Sequence, residues 1–217
     1  MRFDAVAKRL VTLPEHLPPP AESLMPVFIG GPDPRSGRQP PQDPPDGRSA
    51  RAAAVLVLLY PDPDGEARVV LIERTSYEGH HSGEVSFPGG KAEPEDTDLV
   101  ATALREATEE VGLRPTQAGI RIVGPLERFW IPVSDFQVTP IVALAERRPH
   151  LVARASEVAR ILEPPLARFL PDAPIAVVER TIGAWPLRYG HYEVEGLSVW
   201  GMTARVMSQL GAVLVAD

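Results

Sequence analysis

The amino-acid sequence predicts an α/β fold in which a mixed β-sheet lies between helices. Two observations lead to this prediction: apolar, strand-like runs occur before and after an acidic helix predicted at 97–111, and a second amphipathic helix is predicted at 202–216. Strands that bury one face and helices that bury one stripe are stable when they pack on each other. We therefore expect a sheet with helices on both of its faces.

Residues 1–50 are expected to form a helix and an arm appended to a domain at 51–217. Four apolar residues recur at helical spacing: Phe3, Val6, Leu10 and Val11. They predict a helix over 3–12 that packs either on the domain or on a partner subunit of a homodimer. Proline, glycine and aspartate predominate from 13 to 47, which predicts an irregular arm. Its apolar island at 25–29 is expected to dock on the domain, and a protein-docking role for the arm is the alternative.

The domain is expected to begin with a β-hairpin. Residues 52–60 form an apolar run, the sequence PDPDG supplies a turn, and residues 67–73 alternate between apolar and polar side chains. Residues 74–82 are polar and end at a glycine, so they predict a loop. This loop leads into a strand that ends in the sequence Phe-Pro-Gly-Gly at 87–90.

Several further elements are predicted after the acidic helix. Three runs read as strands: 120–126, 128–133 and 136–145. A short strand and a helix after Pro165 follow them. Residues 175–201 predict two strands joined by a turn at Tyr189 and Gly190. The closing helix is expected to turn Val206 and Leu210 inward.

Composition excludes several classes of function. The net charge of −7 argues against a nonspecific nucleic-acid binder, which would carry a basic face. The absence of cysteine excludes disulfides, thiolate catalysis and zinc–thiolate sites. No segment has the pattern of a signal peptide, and the longest apolar run, 52–60, is shorter than the roughly 20 residues of a membrane helix. We expect a cytoplasmic protein with a small-molecule substrate and no membrane or nucleic-acid partner.

The acidic helix concentrates three carboxylates on one face. With about 100° per residue, Glu109 and Glu110 lie roughly 60° and 40° to either side of Glu106. Such a cluster is often only a solvated helix face. Here a glycine pair, Gly89 and Gly90, precedes the helix and permits close backbone approach to a ligand. Because Mg²⁺ bridges carboxylate and phosphate oxygens, this combination predicts a divalent-metal site for a phosphorylated substrate.

The region from Gly90 to 113 resembles the Nudix box, a glycine and a loop followed by a fixed Arg-Glu and Glu-Glu pattern. The run REATEEVGL at 105–113 fits the second half of that box at every fixed position. The first half has one extra residue between Gly90 and Arg105, and Asp96 stands near the expected loop glutamate. We favour Asp96 as the N-cap of the helix, the alternative being a displaced equivalent of that glutamate.

The lengthened loop is also expected of the coenzyme A diphosphatase branch of the Nudix family. Elements of that branch's upstream signature are present: Arg74, Gly83 and the Phe-Pro-Gly-Gly sequence at 87–90. Three positions depart from it: Ile72 replaces Thr, Thr75 replaces Ser or Ala, and Gly79 replaces a second Arg. Residues 138–140 (VTP) and 200–204 (WGMTA) resemble later elements of the same branch.

The resemblance implies an α/β/α sandwich over roughly 50–213 and hydrolysis of a nucleoside diphosphate derivative with Mg²⁺ or Mn²⁺. The branch implies coenzyme A or acyl-coenzyme A as substrate, with 3′,5′-ADP and (acyl-)4′-phosphopantetheine as products. ADP-ribose or a (deoxy)nucleoside triphosphate is the alternative substrate, favoured by the missing arginine at Gly79. A nucleotide-binding protein without catalysis is the alternative of another class.

The same resemblance assigns candidate roles to individual residues. Glu106 and Glu110 are expected to be metal ligands, and the carbonyl of Gly90 is expected to complete the shell. Glu109 adds a ligand or accepts the proton of the attacking water, and the sequence leaves both roles open. Arg105 is expected to orient Glu109 by an ion pair, which makes it part of the catalytic set.

The substrate is expected to contact a second group of residues. Arg74 is the expected phosphate ligand, because a guanidinium binds phosphate oxygens in a forked geometry. Gly89 and Gly90 would let the backbone approach that phosphate. His80 or His81 could supply the positive charge that is missing at Gly79.

Overall fold

The computed structural model describes residues 1–29, 37, 41–45, 49–75, 83–132, 134–182 and 185–216. The α-helices are α1 (Phe3–Arg9), α2 (Leu99–Val111), α3 (Pro115–Ala118) and α4 (Gly201–Val215). Short 3-10 helices lie at Glu22–Leu24 and Leu166–Phe169. The strands before α2 are β1 (Val27–Phe28), β2 (Arg51–Pro61), β3 (Ala67–Val69), β4 (Leu71–Arg74), β5 (Val85–Ser86) and β6 (Gly89–Lys91). Those after it are β7 (Ile120–Pro125), β8 (Phe129–Ile131), β9 (Phe136–Ala145), β10 (Val158–Leu162), β11 (Ala176–Ile182), β12 (Trp185–Val194) and β13 (Leu197–Val199).

The central sheet is built around β2 and β9, which pair in parallel. Strands β3 and β6 pair antiparallel with successive parts of β2, and β7 and β8 do the same with β9. Two smaller sheets adjoin it, one of β10, β4 and β5, and one of β1, β12 and β11 with β13 paired to β12. The prediction of a mixed sheet is confirmed.

The two faces of β2 contribute to different hydrophobic clusters. Leu56 and Leu58 pack with Ala103 and Ala107 of α2. The alternate residues of β2 belong to the cluster that contains Val206 and Leu210 of α4: Ala53, Val55, Val57 and Leu59. Because side chains alternate along a strand, helices α2 and α4 cover opposite faces of the sheet. This arrangement confirms the predicted sandwich and the inward direction of Val206 and Leu210.

The N-terminal segment packs into the cluster on the α4 side. Phe3, Val6, Leu10 and Leu24 are all buried there. Helix α1 ends at Arg9, earlier than predicted, and Val11 is 68% exposed, so Val11 is not part of the packed stripe. The apolar island does dock on the domain, because β1 pairs with β12 through Val27 and Phe28.

Three predicted elements differ from the structure. Tyr189 and Gly190 lie inside β12 and do not form a turn. Gly190 is needed because a Cβ at that position would lie 2.4 Å from the carbonyl oxygen of Ser23. The run 67–73 divides at Val70, where the chain passes from the central sheet to the sheet of β4. The helix predicted after Pro165 is only a 3-10 turn.

Helix α2 begins two residues later than predicted. Its N-cap is Asp98, whose side chain accepts a hydrogen bond from the backbone N–H of Ala101 at 2.8 Å. Asp96 is therefore not the cap, and that prediction is wrong. The helix ends at Gly112, which adopts a left-handed conformation (φ 63°), as the sequence predicts for a C-terminal cap.

None of the helices within the described ranges has both the length and the apolar character that crossing a membrane requires.

Candidate active site

The glycine pair lies in β6, hydrogen-bonded along β2, and does not form a turn. A Cβ at Gly89 would lie 2.4 Å from the carbonyl oxygen of Ala54, and Gly89 has a φ of +155°. A Cβ at Gly90 would lie 2.5 Å from the carboxyl group of Glu106. The missing side chains therefore allow β6 to approach β2 on one side and α2 on the other. The close approach predicted for a ligand is, in the structure, an approach to β2 and to Glu106.

Glu110 is the most deeply buried carboxylate of this region, with a side chain only 2% exposed. Its Oε2 accepts a hydrogen bond from the backbone N–H of Gly89 at 2.8 Å, and its Oε1 lies 3.4 Å from Nη1 of Arg74. Burial raises the pKa of Glu110 to about 7, although the Gly89 hydrogen bond and Arg74 oppose that rise. The positive charge around Glu110 is thus too small to offset the cost of burying its ionised form.

Glu106 lies one helical turn before Glu110 and faces the same glycine pair. Its side chain is 14% exposed, and its Oε1 accepts a hydrogen bond from Nη1 of Arg105 at 3.0 Å. Burial raises the pKa of Glu106, and the Arg105 contact opposes the rise. The structure therefore brings Glu106 and Glu110 together beside Gly89 and Gly90.

Glu109 is oriented differently. Its side chain is 45% exposed, and its Oε1 lies 3.4 Å from Nη1 of Arg105. Within the part of the chain that the structure describes, no three Asp, Glu or His side chains converge closely enough to hold a metal ion. The side chain of Glu109 would have to rotate toward Glu106 and Glu110 to bind the same metal ion.

Arg105 forms its strongest contacts with Asp96. Its Nε and Nη2 donate to the two carboxylate oxygens of Asp96 at 2.9 and 3.0 Å, and Nη2 also donates to the carbonyl of Lys91. This forked contact holds the pKa of Asp96 well below its usual range. The predicted ion pair between Arg105 and Glu109 is present at 3.4 Å, but Arg105 also ties the loop at Asp96 to the helix and contacts Glu106 more closely than Glu109.

Asp96 also organises its own loop. Its Oδ2 accepts hydrogen bonds from the backbone N–H of Glu93 and from the hydroxyl of Thr102, both at 2.9 Å. With the N-cap interpretation excluded, the interpretation of Asp96 as a displaced equivalent of the loop glutamate is the one that its contacts favour.

Glu157 is an acidic residue near the site that the sequence did not indicate. Its negative charge contributes to the raised pKa values of both Glu106 and Glu110. The residue immediately precedes β10, and its carbonyl accepts a hydrogen bond from the backbone N–H of Thr75, directly after Arg74. Only the folded chain brings it near α2, because about 50 residues separate it from that helix.

A cavity of about 510 Å³ adjoins the glycine pair. Gly89, Gly90 and Arg74 line it at the candidate site. Much of its remaining wall is aromatic or apolar: Phe129, Trp130, Ile131, Phe136, Trp200 and Met202. Phe87 also lines the cavity and is fully buried, whereas Trp130 and Trp200 are only partly buried. A cavity of this size and character suits an organic ligand.

Three residues of the predicted loop cannot be placed in this site. Gly79, His80 and His81 lie outside the described residues. The prediction that a histidine replaces the charge missing at Gly79 therefore remains a prediction.

The donor set at the glycine pair suits a hard divalent cation. Carboxylate oxygens are the preferred ligands of Mg²⁺ and Mn²⁺. Glu110 supplies a nearly inaccessible carboxylate whose charge is poorly compensated, and Glu106 supplies a second one turn away. A cation would remove the electrostatic cost of burying both charges.

Comparison with known proteins gives a family match over the region that contains this site. The NUDIX domain model matches residues 50–166. The chain is 35% identical over 175 residues to Nudix hydrolase 15, mitochondrial, of Arabidopsis thaliana, covering 78% of this chain and 60% of that protein. It is 38% identical over 167 residues to the uncharacterized Nudix hydrolase NudL of Salmonella newport, covering 74% and 81%. The chain thus spans less than two thirds of the plant relative.

A solved structure also aligns with part of this chain. The Nudix hydrolase RenU of M. smegmatis aligns with a TM-score of 0.46 and 24% identity, covering 55% of this chain and 73% of that one.

Proposed function

Because this chain belongs to the Nudix family, we propose that it hydrolyses the diphosphate of a nucleoside diphosphate derivative with the help of Mg²⁺ or Mn²⁺. The observation that carries the proposal is the position of Glu106 and Glu110. Both carboxylates lie against the glycine pair of β6, and that pair lines a cavity large enough for an organic substrate. Gly89 and Gly90 thus lie between the two carboxylates that would bind the metal and the cavity that would bind the substrate.

Within that class, we propose coenzyme A or acyl-coenzyme A as the substrate. The products would be 3′,5′-ADP and (acyl-)4′-phosphopantetheine. The support is the resemblance of Arg74, Gly83 and the Phe-Pro-Gly-Gly sequence at 87–90 to the signature of the coenzyme A diphosphatase branch. The apolar cavity adds physical support, because a pantetheine or acyl chain needs an apolar wall.

Glu106 and Glu110 would hold the cation, with Glu109 as a further ligand or as the base. When bound, the cation neutralises the charge of the diphosphate and lowers the pKa of an attacking water molecule. The chain's own residues prepare this arrangement. Gly89 N–H fixes one oxygen of Glu110, and Arg105, itself held by Asp96, fixes Glu106. Because these partners hold the carboxylates in position, little reorganisation is required when charge develops.

Arg74 is in position to act on the substrate from the cavity side. It lines the cavity, and its Nη1 lies 3.4 Å from Glu110, which is a long contact for an ion pair. Its Nε is buried and has no hydrogen-bond partner among the described residues. A phosphate oxygen would satisfy that donor, since guanidinium groups bind phosphate through two parallel hydrogen bonds.

Product analysis would test the proposal directly. The full chain is incubated with Mg²⁺ or Mn²⁺ and with coenzyme A, dephospho-coenzyme A, ADP-ribose or dGTP at equal concentration. Preferential formation of 3′,5′-ADP from coenzyme A is the expected result. Preference for ADP-ribose or dGTP would retain the metal site and overturn the substrate. If no substrate is hydrolysed with either metal, the chain is instead a nucleotide-binding protein without catalysis.

A further inference from the structure

Three residues that line the cavity each have one buried side-chain atom without a hydrogen-bond partner among the described residues. Of the four such side-chain atoms in the described chain, three belong to cavity-lining residues: Nε of Arg74, Oγ of Ser86 and Nε of Arg205. Buried polar groups in folded proteins are nearly always hydrogen-bonded, so unsatisfied ones indicate a missing partner. These three residues give one part of an otherwise largely apolar cavity wall a polar character.

Arg205 is the least expected of the three. It lies on α4, and its guanidinium stacks on the ring of Phe129, with Cζ 4.6 Å from the ring centroid. Burial lowers its pKa, an effect that the negative charge of Glu127 opposes. Among the described residues no carboxylate forms an ion pair with Arg205. The side chain therefore presents a nearly uncompensated positive charge to an apolar cavity.

Arg205 and Ser86 belong to two elements that lie next to each other. The hydroxyl of Thr203, two residues before Arg205, donates a hydrogen bond to the carbonyl of Val85 at 3.2 Å. This buried contact ties the first turn of α4 to β5, so Arg205 and Ser86 face the cavity from adjoining elements. The cavity wall therefore carries a guanidinium from α4 and a hydroxyl from β5.

Arg74 and Arg205 reach the cavity from different sides. Arg74 contacts Glu110 of α2, while Arg205 extends from α4, and these helices cover opposite faces of the central sheet. Two guanidinium groups therefore line one cavity, and of the two only Arg74 has an ion-pair partner among the described residues, namely Glu110. The diphosphate of the proposed substrate would bind to Arg74, which leaves the guanidinium of Arg205 without a binding partner.

We propose that Arg205, assisted by Ser86, determines substrate specificity by binding a phosphate monoester that the substrate carries in addition to its diphosphate. The inference rests on the proposed function and extends it. In coenzyme A this group is the 3′-phosphate. The site would supply from α4 the positive charge that the sequence lacks at Gly79.

The test compares ligands that differ only in that phosphate. Binding of 3′,5′-ADP and of AMP to the full chain is measured by calorimetry, for the wild type and for Arg205→Met, Arg205→Lys and Ser86→Ala. The control is Arg121→Met, which removes an exposed arginine of β7 outside the cavity. A charge-assisted hydrogen bond contributes about ten- to a hundredfold in affinity, so the wild type should prefer 3′,5′-ADP by that factor.

Arg205→Met should reduce the preference to within about threefold, Arg205→Lys and Ser86→Ala should reduce it partly, and Arg121→Met should preserve it. Equal wild-type binding of the two ligands would overturn the proposal. A full preference in Arg205→Met would do the same and would reduce Arg205 to a structural contact of Phe129. If Arg205→Met does not fold, Ser86→Ala, which leaves the Phe129 contact intact, decides the question in the same assay.

Turnover separates this inference from the proposed function. If coenzyme A is hydrolysed, the ratio of kcat/KM for coenzyme A to that for dephospho-coenzyme A should fall in Arg205→Met by the same factor as the binding preference. Hydrolysis with an unchanged ratio would refute the inference and leave the function in place. If no substrate is hydrolysed but the binding preference depends on Arg205, the function fails and the phosphate site stands.

Discussion

The adjacent glycines of β6 should respond in opposite ways to the same substitution. A Cβ at Gly90 would lie 2.5 Å from Cδ and Oε1 of Glu106, which are the far end of a flexible side chain. A Cβ at Gly89 would lie 2.4 Å from the carbonyl oxygen of Ala54 and 2.5 Å from Cα of Val55, which are backbone atoms. Gly90→Ala should therefore displace a carboxylate, whereas Gly89→Ala must displace a strand.

The magnitudes follow from what has to move. For Gly89→Ala, the φ of +155° is costly for alanine, and strain together with overpacking amounts to about 2–5 kcal/mol. In a chain of this size each kcal/mol lowers the Tm by about 2–4 °C, so a fall of roughly 4–20 °C is expected. Gly90→Ala should lower stability by less than about 1 kcal/mol, because Glu106 can rotate toward solvent.

Gly90→Ala should instead weaken metal binding. Moving a ligand or its support typically reduces metal affinity or activity by about ten- to a hundredfold. Because alanine keeps the backbone carbonyl, the loss would report the position of Glu106 and not the carbonyl of residue 90. The assay measures turnover against Mg²⁺ concentration, with thermal unfolding in a chelator. Wild-type metal dependence in Gly90→Ala, or a wild-type Tm in Gly89→Ala, would refute the reasoning.

Two further predictions concern carboxylates of the same region. Because the pKa of metal-free Glu110 is raised to about 7, Mg²⁺ must displace the proton of this carboxyl group at any lower pH. Calorimetry should therefore show that Mg²⁺ binds more tightly as pH rises to about 7, and that binding below pH 7 releases a proton. Both effects should be lost in Glu110→Gln. Because the pKa of Glu110 is raised, ionisation of this one group should lower the stability of the metal-free protein by up to about 3 kcal/mol as pH rises from about 4.5 through 7. Chemical denaturation of the wild type and of Glu110→Gln would measure this contribution as the difference between the two pH profiles, and equal pH dependence in both would contradict it. Asp96→Asn should lower both Tm and turnover, because Arg105 loses its forked partner and then no longer holds Glu106 in position. Asp98→Asn should leave both nearly unchanged, because asparagine caps a helix as well as aspartate does. Similar Tm values and rates for the two variants would contradict the assigned roles.

The glutamate cluster could be predicted because its geometry is local. Helical periodicity alone places Glu106 and Glu110 one turn apart on one face, and the structure has them there. The start of the same helix could not be fixed as well, since Asp96 and Asp98 both have the side chain of an N-cap. What decided between them was Arg105, which binds Asp96 and leaves Asp98 to cap the helix.

The cavity could not be predicted because its walls are distant in the sequence. Arg74, Ser86 and Arg205 come from β4, β5 and α4, and no local pattern distinguishes Arg205 from other arginines on a helix surface. The turn predicted at Gly190 was wrong for a related reason. Glycine is common in turns, but here it admits the carbonyl of Ser23, more than 160 residues earlier in the chain. Local propensity cannot reveal a close approach between distant segments.

The burial of Glu110 supports the proposed cation site. A glutamine at this position could still accept the Gly89 hydrogen bond, so the fold itself has no need of the charge. At neutral pH the charged form is destabilised by burial, and Glu106 and Glu157 add repulsion that Arg74, at 3.4 Å, only partly offsets. A divalent cation would convert this cost into binding energy. The chain therefore retains at Glu110 a carboxylate that weakens the metal-free fold and that becomes favourable only when positive charge is bound beside it.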